Sequence, residues 1–169
     1  MDTRDLYPHE ILQEAIGKSC AKSEFSIKML VILSFLGGGY VGFGYLACLR
    51  VISGIPAEWN GLAALLGASV FPIALICILI GGGELATGNM MIMALGRLTG
   101  RVSTYKLVRN WLIVSLGNLA GAVAMAYFLG HYVGLAEGAA AAKTIAIAEA
   151  KVNMDFGRAF VSAIACNWM

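Results

Sequence analysis

Glu84 is the only charged side chain between Trp59 and Gly96, a stretch of 38 residues. It stands in "GGGELATGNMM", residues 81–91, where glycines and two short polar side chains interrupt an apolar run. Such a carboxylate is either in contact with a transported or bound substrate, or a structural acceptor for backbone that has left its helix. The glycines, Gly83 and Gly88 among them, weaken helix across this segment, so a break is expected between Glu84 and Gly88. Thr87 and Asn89 are both capable N-caps, and either can open a second half-helix. The positive end of a half-helix facing a cavity attracts an anion. A bare carboxylate there would repel that anion, so Glu84 is expected to turn into the protein and accept hydrogen bonds from the loop's own N–H groups. A membrane-embedded enzyme needs several polar catalytic groups, and Glu84 stands nearly alone. No enzymatic activity is expected, and no C-x-x-C or similar spacing points to a metal. No cofactor or nucleic-acid partner is indicated.

The elements that must hold this segment follow from composition. The 169-residue chain is 59% hydrophobic and 13% charged, against about 25% charged for a soluble domain. No charge occurs between Met29 and Leu49, and none between Asn110 and Ala136 except His131. These gaps match the roughly 20 apolar residues that a helix needs to cross a bilayer. An all-α integral membrane protein is expected, with spans over about 27–49 and 108–133. A third apolar region, 61–95, would be about 52 Å long as one straight helix, too long for one upright crossing. It carries Pro72 as well as the glycines, which makes it the broken second helix. Residues 134–155 read as a polar, Ala-rich connection. "FGRAFVSAIACNWM" begins a fourth span and reaches only about 21 Å, so the chain is expected to be a fragment holding three full spans and a partial fourth.

Residues 7–24 place Ile11, Leu12, Ala15, Ile16 and Cys20 at helical spacing, which predicts an amphipathic helix at the membrane surface. The division is therefore 1–26 as an amphipathic N-terminal segment and 27–169 as an incomplete transmembrane channel domain. The loop 96–109 holds Arg97, Arg101, Lys106 and Arg109 and no acid. The positive-inside rule places it, and with it the N-terminus, in the cytoplasm of a multi-pass inner (plasma) membrane protein. Gly117 and Gly121 form a small-xxx-small face for close helix packing.

The acid-Leu-x-Thr-Gly-Asn pattern, the basic turn, "NWLIVSLGNLAGA" and "AEAKVNMDFGRAFVSAIACNW" together resemble the formate/nitrite transporter family from about residue 8 to the end of the chain. The resemblance implies a homopentamer of aquaporin-like protomers. Each would have six helices, two of them broken, and its own pore for formate, nitrite or hydrosulfide. The loop between the third and fourth helices is most similar to the hydrosulfide-type members. Carried over by position, the broken-helix threonine is Thr87 and the vestibule lysine is Lys151. The narrow apolar residues are Phe71, Leu75 and Leu85, with Asn89 beside them. Without the resemblance, Phe71 and Leu75 read as packing residues and Lys151 as a solvated loop charge. The family's central histidine lies in a fifth helix, and His131 is not that residue. The implied mechanism is electrostatic capture followed by an apolar filter, which a weak-acid anion passes by taking a proton. Two alternatives are a water or small-neutral-solute channel, which the missing Asn-Pro-Ala loops disfavour, and a non-transporting membrane subunit.

Overall fold

The computed structural model describes residues 7–168. Its elements are α1 (Pro8–Ser23), α2 (Ile27–Ser53), a short 3-10 turn (Ala57–Trp59), α3 (Asn60–Val70), α4 (Ile73–Gly81), α5 (Ala86–Leu98), α6 (Thr104–Met125), α7 (Ala139–Val152) and α8 (Phe156–Trp168). A π-helical stretch, Ala126–Tyr132, extends α6. Among the described residues no strand occurs. Among the described residues, three stretches are long and apolar enough to cross a membrane: Ile27–Ser53, Ala57–Gly81 and Thr104–Tyr132. The chain is thus an all-helical membrane protein. Its long apolar segments form helices because hydrocarbon leaves backbone groups no partner outside the segment itself.

The chain divides into two units, 1–40 with 77–122 and 41–76 with 123–169. In the first, Gly117 and Gly121 of α6 lie against α2. A Cβ at Gly117 would fall 1.9 Å from the Ser34 Oγ, and one at Gly121 would fall 2.0 Å from the Phe35 carbonyl oxygen. This is the close helix approach that the small-xxx-small spacing predicts. Met93, Val102 and Leu107 form a buried cluster with Trp111 against it. α1 packs on α5. The face it buries carries Ser19 and Ser23, while Ile11 and Leu12 stay exposed. Ala15, Ile16 and Cys20 of the apolar stripe are half-buried beside the two serines, so the C-terminal part of the stripe shares the docking face and Ile11 and Leu12 do not. Gly96 admits Ser19, leaving no room for a Cβ between them.

In the second unit, Leu46, Leu49, Ala63, Ala74 and Ala140 are buried. Gly44 brings α2 against α4, where a Cβ would meet that of Ala74 at 2.7 Å. Within the Ala-rich connection, residues 139–152 are helical, because "AAAAKTIAIAEAKV" is rich in the strongest helix former.

Candidate functional site

The expected break in the second helical region is present, and it lies slightly earlier than the sequence pointed to. α4 ends at Gly81 and α5 starts at Ala86, so residues 82–85 are unwound. Gly82 has φ +77°, a left-handed conformation that glycine adopts without strain. The N–H groups of Gly82 and Gly83 both donate to the Ile78 carbonyl at 3.0 Å, closing the end of α4. The Glu84 N–H crosses to the Leu33 carbonyl of α2 at 3.0 Å. A Cβ at Gly83 would sit 3.0 Å from the Gly37 Cα, so two glycines let the loop and α2 meet backbone to backbone. Gly88 has open space around it and lies inside the first turn of α5, not in the break.

Neither Thr87 nor Asn89 caps α5. The N-cap is Leu85, half-buried and without a side-chain cap bond. The cap comes from α6. Asn118 Oδ1 accepts the Ala86 N–H at 2.8 Å, and Asn118 Nδ2 donates to the Glu84 carbonyl at 2.8 Å and the Ser34 carbonyl at 2.7 Å. One amide thus ties the broken helix to both of its neighbours. Thr87 is exposed at the start of α5. The N–H groups of Thr87 and Gly88 belong to that first turn, which lacks carbonyls four residues back.

Glu84 is turned into the protein, but its donors differ from those expected. Its carboxylate accepts from Lys22 Nζ of α1, at 2.5 Å to each oxygen, and from Asn89 Nδ2 at 2.6 Å. Lys22 Nζ also donates to Asn89 Oδ1 at 3.0 Å, and Asn89 Nδ2 to Asn110 Oδ1 at 3.0 Å. The N–H groups of Gly82, Gly83, Glu84 and Ala86 are already engaged by Ile78, Leu33 and Asn118, and the carboxylate takes side-chain donors. Asn89, expected among the pore-facing residues, is instead 2% exposed and committed to this network. Lys22 is the functional residue that the sequence hid. Two residues of α6 anchor the end of α1: Lys106 pairs with Glu24, and Arg109 Nη2 donates to the Ser23 and Phe25 carbonyls at 2.9 and 3.0 Å. The Lys106 hydrogen bond, with its positive charge, holds the Glu24 carboxyl below its ordinary value.

Phe71, Leu75 and Lys151 belong to the second unit. Phe71 caps the end of α3 and Leu75 lies in α4, so the two do not share one unbroken helix face. Both are partly exposed, and the Phe71 ring meets Tyr45 edge-on at 6.3 Å. Lys151 is exposed in the last turn of α7. Among the described residues, no group of three or more His, Cys, Asp or Glu could hold a metal ion.

Residues 9–169 match the family model for formate/nitrite transporters. An uncharacterized transporter of Bacillus subtilis is 45% identical over 163 residues, covering 96% of this chain and 61% of that protein. A formate channel of Bacillus thuringiensis is 37% identical, over 96% of this chain and 62% of its own length. A probable formate transporter of Methanothermobacter thermautotrophicus is 38% identical, over 90% and 64%. A solved FNT family ion channel superposes with a TM-score of 0.67 at 25% identity, over 75% of this chain and 50% of that one. The chain spans less than two thirds of the length of these relatives.

Proposed function

The chain belongs to the formate/nitrite transporter family, and from that premise we propose that the protein passes small monovalent weak-acid anions across a membrane. Formate and nitrite head the substrate class, with hydrosulfide included. The observation that carries this reading is the neutralised break. α5 opens beside an outward-facing Thr87, while the nearby Glu84 charge is matched inside the protein by Lys22. The carboxylate therefore presents no net repulsion, and the positive helix end remains as an attractor for an anion. The Thr87 hydroxyl and first-turn N–H groups would hold the anion. Lys151, in the outer vestibule, would raise its local concentration. Phe71, Leu75 and Leu85 would form narrows that a charged species crosses only at high cost. Formate, nitrite and hydrosulfide escape that cost by crossing with a proton, whereas chloride does not.

The working assembly in this reading is a homopentamer of six-helix protomers in the plasma membrane. The N-terminus and the basic loop 96–109 lie in the cytoplasm, because the connections 50–60 and 134–155 mix acids with bases while this loop has no acid. Stopped-flow uptake into liposomes bearing the full-length protein tests the function. Formate, nitrite and hydrosulfide should enter at least about tenfold faster than chloride, each with a proton reported by an internal pH dye. Glycerol passage without anion passage would replace this reading with that of a neutral-solute channel.

A further inference from the structure

A hollow of about 560 Å³ lies where α5 hands over to α6, lined by Arg97, Gly100, Arg101, Ser103, Thr104 and Lys106. Its construction starts from backbone. Gly100 turns the chain at φ +71°, and the Arg101 and Val102 N–H groups both return to the Gly96 carbonyl, at 2.9 and 3.0 Å. Arg101 on this short, well-bonded turn is thereby placed beside Arg97 in the last turn of α5. Arg97 Nε donates to Thr104 Oγ1 at 2.9 Å, which fixes the guanidinium and leaves its terminal nitrogens for another acceptor. The Arg101 side chain has no hydrogen bond or ion pair with any described residue. Lys106 is already paired with Glu24, and no acid lines the hollow.

We propose that this hollow binds the phosphate of an anionic phospholipid headgroup. Two arginine forks suit the bidentate recognition of phosphate oxygens better than ammonium groups would. Two observations favour a lipid over a dissolved phosphate. First, Thr104 lines the hollow and is also the first residue of the membrane-length stretch Thr104–Tyr132, so the site sits at the end of an apolar span. Second, Leu98 and Tyr105 flank the hollow with 84% and 75% of their surface outward. An apolar side chain and an aromatic ring at that depth match acyl chains and the headgroup boundary, where Tyr is enriched. A soluble anion has no use for either. The site lies at the end of α5 away from the break at 82–85, and its failure would leave the transport reading untouched.

The test is lipid retention by the full-length protein in neutral detergent, titrated with phosphatidylglycerol, phosphatidylcholine or inorganic phosphate and read by native mass spectrometry. One arginine near an anionic headgroup is worth ~1 kcal/mol, or about fivefold in affinity. Arg101→Gln should therefore weaken phosphatidylglycerol binding about fivefold, and Arg97→Gln/Arg101→Gln about 25-fold. Phosphatidylcholine binding should not change, and Arg50→Gln, at the other end of α2, should behave as wild type. The Arg101 side chain makes no hydrogen bond or ion pair of its own, so its single variant decides the matter even where the double variant folds poorly. Wild-type phosphatidylglycerol affinity in Arg101→Gln would overturn the proposal. Displacement of the lipid by millimolar inorganic phosphate would overturn the lipid assignment and leave a soluble-anion site.

Discussion

Replacing Lys22 by methionine keeps the length of the side chain and deletes its charge. The Glu84 side chain is 8% exposed and that of Lys22 is 21% exposed. In Lys22→Met the carboxylate keeps Asn89 Nδ2, at 2.6 Å, and loses two contacts of 2.5 Å. Breaking a buried ion pair by removing one partner costs about 3–5 kcal/mol. The low end, ~3 kcal/mol, applies because Lys22 is one-fifth exposed and water can reach the vacated position. At ~2–4 °C per kcal/mol, melting in detergent should fall by roughly 6–12 °C. Glu84→Gln should be milder, about 1 kcal/mol, because the stranded lysine can extend towards water. The double variant carries neither charge and should lose only ~2 kcal/mol, so the two effects should couple by about 2 kcal/mol. Circular dichroism melts of the four proteins complete the cycle. A Lys22→Met loss within the ~0–1 kcal/mol of a surface pair, or strict additivity in the double variant, would refute the claim that α1 supplies the counter-charge for the broken helix.

Asn118→Leu removes three hydrogen bonds at once and should destabilise by about 2–4 kcal/mol, with faster amide exchange at Ala86. Unchanged exchange there would mean that the α5 cap lies elsewhere. Gly38→Ala would put a Cβ 2.0 Å from the Asn118 carbonyl oxygen, backbone against backbone, and should abolish correctly folded protein in detergent. Gly17→Ala meets nothing within 4 Å on exposed α1 and should stabilise it by ~0.5–1 kcal/mol. Equal yields from the two variants would contradict the close α2–α6 approach. Lys151→Gln should lower anion flux most at low salt, where the Debye length is longest. A loss independent of ionic strength would replace long-range attraction with a local contact.

The three spans and the break were legible because each follows from runs along the chain: apolar length, and glycines beside a lone acid. The resemblance to the family was equally legible, since its motifs are contiguous. The partners were not. Lys22 meets Glu84 across 62 residues, and nothing in either neighbourhood points to the other. Asn118 supplies the α5 cap from another helix, which is why the local cap rule favoured Thr87 and Asn89 wrongly. A signal for Asn110 and Asn118 did exist. Side-chain amides inside an apolar span seek partners there, and each joins the network around residues 84–89, Asn110 through its Oδ1 alone. The helical state of 139–152 was masked by its polarity, although its alanines favoured it. α1 docks with Ser19 and Ser23 most deeply buried and with only the C-terminal part of its apolar stripe beside them, because Gly96 admits Ser19 and the Lys22–Glu84 pair fixes that end.

The central claim is that the α5 start, at Thr87, receives the anion. Thr87→Val keeps the shape of the side chain and deletes its hydroxyl. The direct measurement is stopped-flow uptake of formate, nitrite and hydrosulfide by liposomes holding equal amounts of wild-type and Thr87→Val full-length protein. The account predicts a fall of about tenfold for all three anions, the equivalent of one charge-assisted hydrogen bond of ~1.4 kcal/mol, with unaltered thermal stability. Wild-type flux of all three anions through Thr87→Val would contradict it.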